Sequence, residues 1–155
     1  LKPGELPADV FLDLQTDNNK LSVWHLENEN SEHFERLIAA LAANQDYPSY
    51  IDYALIEAQM LKQIDIRYEQ TPGDTADDEV NTWHYDLVEL TAAKLFQLVN
   101  AIHASNSNRD DVRVAPRDVK KWLIKHSGNL DPDRIKIKKT KLRRQMGLSK
   151  IDDTS

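Results

Sequence analysis

Fourteen of the twenty Lys and Arg residues in this 155-residue chain lie between residues 109 and 150. Residues 1–108 carry six Lys/Arg against nineteen Asp/Glu, whereas residues 109–150 carry fourteen against five. The formal net charge of −6 thus hides an acidic stretch of −13 and a basic one of +9, with Asp152 and Asp153 making up the difference. Cations crowded on one stretch repel each other unless an anion sits among them. That anion is either an outside partner, such as phosphate or an acidic protein surface, or the chain's own acidic part. With a Debye length of about 8 Å in physiological salt, the second solution requires close approach. Both stay open at this level. The polarity predicts two parts, an acidic α+β domain over 1–108 and a basic helical C-terminal segment over 109–155. The polar, breaker-rich run Ala104 to Asp111 forms the boundary between them.

Composition removes several classes of function. No Cys is present, so disulfides, thiol nucleophiles and Cys-ligated metals are excluded. The four glycines fit neither GxGxxG nor GxxxxGK[ST]. No apolar run approaches the roughly 18–20 residues of a membrane span, and no apolar leader opens the sequence. A cytoplasmic, membrane-free protein without a cofactor is expected.

The apolar pattern predicts the elements. Residues 9–15 and 21–27 read as strands joined by Asp17-Asn18-Asn19-Lys20, whose Asx residues tolerate the positive φ of a tight hairpin. Ser31 offers an N-cap, with Glu32 and Glu35 in the first turn, and Phe34, Leu37, Ile38 and Leu41 follow at helical spacing, predicting a helix over 32–44. Ile51, Ala54, Leu55, Ala58 and Leu61 predict a second helix over 50–62. Ile64, Ile66 and Tyr68 alternate as a strand does, and Trp83 and Tyr85 suggest a return strand near 80–85. Asp86 and Glu89 resemble a capping box, opening a helix over 87–104, although Val80, Trp83, Leu87 and Leu90 also fit one continuous helix over 80–104. Pro116 at a helix start and Val119, Trp122 and Leu123 as an apolar stripe predict a helix over 116–126, and Asp131-Pro132 opens a last one over 132–146. The fold class is α+β: a four-stranded antiparallel sheet in two hairpins, covered by helices, with a basic helical segment at the C-terminal side.

Candidate sites divide into catalytic arrangements and charged surfaces. His25, Glu27, Glu29 and His33 lie close in sequence, but they span three elements without an HExxH or HxH spacing, so no metal is expected there. His84 and Asp86 share a strand face and can approach each other, yet no GxSxG-like nucleophile accompanies them. Asp118-x-Lys120 matches only the tail of a nuclease signature, on a helix rather than a strand. No catalytic residue is assigned. Asp74, Asp77, Asp78 and Glu79 lack the order of a calcium loop and read as a solvated acidic loop, able to face a basic partner.

The basic segment carries the strongest signal. Arg113, Arg117, Lys121 and Lys125 recur every fourth residue, along a helix face opposite Trp122. Seven cations fall within 134–144, among them Lys136, Lys139, Arg143 and Arg144. As a helix this run is positive nearly all round; as a strand, Ile135 and Ile137 alternate with cations. The expected function is that of a non-enzymatic interaction or regulatory protein with a macromolecular partner, by analogy of charge and size with an immunity protein or antitoxin. The alternative is binding of DNA or RNA through the basic segment.

Overall fold

The computed structural model describes residues 16–28, 31–106 and 112–149. The elements in chain order are β1 (Leu21–Trp24), α1 (Glu32–Ala43), β2 (Ile51–Asp52), α2 (Ala58–Gln63), β3 (Arg67–Gln70), α3 (Asp78–Asn81), β4 (His84–Val88), α4 (Ala92–Asn106), β5 (Arg113–Val114), α5 (Pro116–His126) and α6 (Thr140–Gln145). Two short 3-10 turns, Ser127–Asn129 and Pro132–Arg134, lie between α5 and α6. The fold is α+β, with antiparallel sheets of three and two strands in place of the expected four-stranded sheet.

The chain forms two units, each discontinuous in sequence. The first gathers residues 1–24, 53–71 and 84–112; the second gathers 25–52, 72–83 and 113–155. The charge boundary expected at 108/109 lies beside one junction between the units. The second unit nevertheless takes in acidic stretches from well before it. By sequence it holds fourteen Lys/Arg and fifteen Asp/Glu, so a polarity that is steep along the chain nearly vanishes within this unit.

In the first unit, β4 is the central strand of the sheet β1-β4-β3. Leu87 stands opposite Leu21 on one side and Tyr68 on the other, which sets the register of all three strands. Leu61, Ile66, Leu87, Leu90 and Leu98 are the buried core here, with Leu21, Val23, Ile64 and Leu95 packed against it. Asn18 and Asn19 adopt φ of 50° and 59°, and Asp17 and Lys20 exchange backbone hydrogen bonds of 3.1 and 2.9 Å, the tight turn expected from these residues. The partner strand expected at 9–15 lies outside the described residues; among those described, β1 pairs with β4.

Several expected boundaries move, each for a local reason. Asp86 belongs to β4 and accepts from the Ser22 hydroxyl (3.2 Å), and Glu89 takes φ 55°, which no α-helix accommodates, so the expected helix over 87–104 begins instead at Ala92. Thr91 caps it, its Oγ1 accepting the Lys94 amide at 3.2 Å. The return strand expected near 80–85 is His84–Val88, displaced toward the C-terminus because Asp78–Asn81 forms α3, and one helix over 80–104 does not form. The helix expected over 50–62 is reduced to α2, because Ile51 and Asp52 pair with Val114 and Arg113. Cross-strand pairing outweighs a helical pattern carried by only a few apolar residues.

In the second unit, Ser31 caps α1 with its hydroxyl on the Phe34 amide (3.4 Å), and Pro116 occupies the first turn of α5. These two helices pack on each other. Ala39, Ala40, Ala42 and Ala43 of α1 are fully buried, and small side chains there let the partner come close. From α5, Val119 and Leu123 are equally buried, and Trp122 meets the Phe34 ring edge-on at 5.8 Å.

The helix expected over 132–146 is replaced by a 3-10 turn, an extended run over 135–139 and the short α6. Ile135 and Ile137 point inward while Lys136 and Lys138 point out, the period-two alternative of the basic run. The Lys136 amide donates to the Ala43 carbonyl at 2.8 Å and the Lys138 amide to Asp46 at 2.9 Å. The first bond reaches a carbonyl in the last turn of α1, where intrahelical donors run out, and so gives the extended conformation a partner that a helix here would forgo.

Candidate anionic-partner interface

The cations of the basic segment fall into two groups, and the first is engaged within the second unit. Arg113 grips Asp52 with both arms of its fork, at 2.5 and 2.8 Å. Lys125 on α5 reaches Glu35 on α1 at 2.5 Å and Glu32 at 3.7 Å. Arg134 lies 2.8 Å from Asp78 and 3.6 Å from Asp74, and Lys138 lies 2.6 Å from Asp46. The electrostatic consequences run both ways. Hydrogen bonding to Lys125 holds the Glu35 carboxyl below its ordinary value, and Arg113 does the same to Asp52. Conversely Glu35 raises Lys125, and Asp46 raises Lys138.

Arg143 is engaged differently. It is 9% exposed, and its guanidinium donates to the carbonyls of Ile137 (3.0 Å) and Ser149 (3.1 Å). A buried Arg on main-chain carbonyls is a clamp between α6 and the strands of chain beside it, with no face left for a partner.

The second group consists of Lys120 and Lys121 on α5, then Lys136, Lys139, Lys141 and Arg144. None of them has a carboxylate within 4 Å among the described residues, and all but the half-buried Lys120 are exposed. Arg117 joins this group in practice: its side chain is 88% exposed and, among the described residues, its only carboxylate is that of its neighbour Asp118, at 3.4 Å. On α5, Arg117 and Lys121 are one turn apart on the side away from the buried Val119, Leu123 and His126. On α6, Lys141 and Arg144 share a face while Leu142 and Arg143 are buried. The fourfold rhythm through Arg113, Arg117, Lys121 and Lys125 is therefore broken at both ends. Arg113 lies in β5 and Lys125 is turned onto α1.

The acidic loop is an ordered structural element. Asp77 is 1% exposed, caps α3 by accepting the Glu79 and Val80 amides, and receives the Arg36 guanidinium at 2.7 and 2.9 Å. Glu79 takes the remaining arm of Arg36 at 2.6 Å. These carboxylates, Asp77 foremost, raise the Arg36 guanidinium further above its already high value. Asp74 and Asp78 face Arg134. All four acids named as a basic-partner surface thus have a cation of their own unit beside them; Asp74, Asp78 and Glu79 are exposed to solvent as expected, whereas Asp77 is buried.

The histidines do not gather. His33 packs against Trp83 with ring centroids 3.6 Å apart and planes tilted by 54°, its Nδ1 accepts the Glu27 amide at 3.4 Å, and burial lowers its pKa. Glu29 lies outside the described residues, and among those described no three His, Cys, Asp or Glu residues are placed to hold a metal. His84 is buried in the first unit: its Nδ1 meets the Thr71 hydroxyl at 2.9 Å and its Nε2 is 3.9 Å from Asp86. The sequence foresaw the His84–Asp86 proximity but not Thr71, whose part follows from the pairing of β3 with β4. Asp86 also accepts from Ser22, and His84 packs edge-on to Trp24. Both ends of this imidazole are tied into the sheet.

Sequence reasoning also missed Tyr47, Tyr50 and Arg36. Tyr47 and Tyr50 stand 61% and 59% exposed on the loop after α1, and the Arg113 guanidinium lies over the Tyr50 ring at 5.2 Å from its centroid. Pro48 between them was the available signal, a breaker flanked by aromatics. Among the described residues, no helix is long and apolar enough to cross a membrane. No protein-family model matches the chain, and neither does a curated protein or a solved structure.

Proposed function

We propose that this chain is a non-enzymatic interaction protein that binds an anionic macromolecular partner through Lys136, Lys139, Lys141 and Arg144, with Arg117 and Lys121 on α5 as a second cationic face. One observation carries the reading. After Arg113, Lys125, Arg134 and Lys138 are matched by carboxylates, Lys121, Lys136, Lys139, Lys141 and Arg144 remain exposed with no carboxylate within 4 Å among the described residues, and Arg117 has beside it that of its neighbour Asp118. Lys139, Lys141 and Arg144 in addition sit within six residues of one another, where mutual repulsion is lowered by any polyanion that approaches. A basic partner held by Asp74, Asp77, Asp78 and Glu79 is less favoured, because Asp77 is buried on Arg36 and each of the other three already has a cation of its own unit beside it.

The test is retention of the full chain on immobilised heparin. The wild-type chain is expected to be retained at low salt despite its net charge of −6. The triple variant K139E/K141E/R144E should elute much earlier, while D74N/D78N should not. Failure of the wild-type chain to be retained, or unchanged elution of the triple variant, contradicts the proposal. Arg143 is left intact in this test because its guanidinium is part of the fold.

A further inference from the structure

Tyr47 and Tyr50 are two of only five large apolar side chains that stand exposed among the described residues, and they are three positions apart. Nothing leaves them exposed by looseness. Their loop is fastened at several points. The Asn44 side-chain amide donates to the Asp74 carbonyl at 2.8 Å, the Ser49 hydroxyl to Gln45 at 3.2 Å, and the Lys138 amide to the Asp46 carbonyl at 2.9 Å. The Lys138 ammonium closes the same corner on the Asp46 carboxylate at 2.6 Å. Tyr47 follows directly on this doubly bonded Asp46. Pro48, next in line, restricts the backbone on both sides of it. On the far side, Tyr50 is covered on one face by Arg113, itself fixed by its fork on Asp52.

The cations lie along the same edge. In the extended run over 135–139, Lys136 and Lys138 leave on one side while Ile135 and Ile137 are buried on the other. Lys138 is occupied by Asp46, whereas Lys136 and Lys139, on either side of it in sequence, have no carboxylate within 4 Å among the described residues. Exposed rings on a fastened loop, next to a run of chain whose cations lack a carboxylate among the described residues, offer what stacking on an unpaired base and neutralisation of its backbone require together. A duplex keeps its base faces covered and leaves the rings nothing to stack on. An acidic peptide would use the cations and ignore the rings.

We infer that Tyr47 and Tyr50, flanked by Lys136 and Lys139, form a stacking platform for single-stranded nucleic acid. This rests on the anionic-partner reading above, since Lys136 and Lys139 hold the phosphates in both; the rings add the preference for a single strand. The test is fluorescence anisotropy of the full chain with a labelled 12-nucleotide single strand, run as RNA and as DNA, against a duplex of the same sequence, alongside heparin retention. The single strand is expected to bind at least about tenfold more tightly than the duplex, and Y47A/Y50A should weaken it by about tenfold or more while heparin retention stays unchanged. Both tyrosines are exposed, so an unchanged melting curve of Y47A/Y50A confirms that the fold survives. Equal affinity for single strand and duplex, or no loss in Y47A/Y50A, with heparin retention preserved, overturns the platform and leaves the anionic-partner reading standing. Absence of binding to single strand, duplex and heparin alike overturns both.

Discussion

A charged side chain's sequence neighbourhood says little about whether its charge is free. Arg143 and Arg144 are adjacent and chemically identical, yet one is buried on two carbonyls and the other is exposed without a carboxylate within 4 Å among the described residues. Lys138 and Lys139 differ in the same way. The most consequential pair is Arg36 with Asp77, a carboxylate 1% exposed that also caps α3. Removing the guanidinium leaves that charge buried with only amides for company, and such a loss costs about 3 kcal/mol. Chemical denaturation of R36A should show a fall of that order, whereas K138A, at a solvated pair, should unfold as the wild type does. A wild-type midpoint for R36A would mean that Asp77 is satisfied by its capping bonds alone. None of this was legible beforehand, because Arg36 and Asp77 are 41 positions apart. Sequence patterns report neighbours one turn or one strand pair away, and not contacts at that distance.

At the level of elements, legibility tracked the strength of the local signal. The helix expected over 32–44 is α1, ending one residue earlier, because Ser31, the acidic first turn and the stripe Phe34, Leu37, Ile38 and Leu41 agree. The helix over 116–126 is α5 to the residue, for Pro116 and Val119–Leu123 agree likewise. Where one weak pattern stood alone, tertiary partners decided. Ile51 went to β5, Leu87 to the centre of a sheet and Ile135–Ile137 to an extended run along α1. The contact between α1 and α5 also carries a pH signature. Glu35 faces Lys125 at 2.5 Å and His126 at 3.7 Å, and Lys125 holds its carboxyl below the ordinary value. A carboxyl depressed in the folded state contributes stability that is complete above its unfolded pKa and is lost as pH falls through the folded one. Stability should therefore fall as pH drops below the ordinary glutamate range, and K125M should flatten that part of the curve, since Glu35 then titrates nearer its unfolded value. An identical acid limb in K125M would show that the bridge contributes nothing to the docking of α5 on α1.

For the molecule as a whole, the charge polarity along the sequence is resolved in part by folding. The run after residue 112 is one segment of a unit whose other segments are 25–52 and 72–83, and four of its cations meet carboxylates those segments supply. The sequence posed the choice between an outside anion and the chain's own acids. The structure answers cation by cation: Arg113, Lys125, Arg134 and Lys138 are matched within the unit, and the exposed remainder supplies the proposed interface. Integration of the basic stretch has a direct readout in hydrogen exchange of the full chain, followed by mass spectrometry. Amides of α5 should be protected to the same degree as those of α1, and the two helices should lose protection together as denaturant is added, because each buries the other's apolar face. Free exchange over 116–126 while 32–43 stays protected would show a detached basic tail and contradict the account.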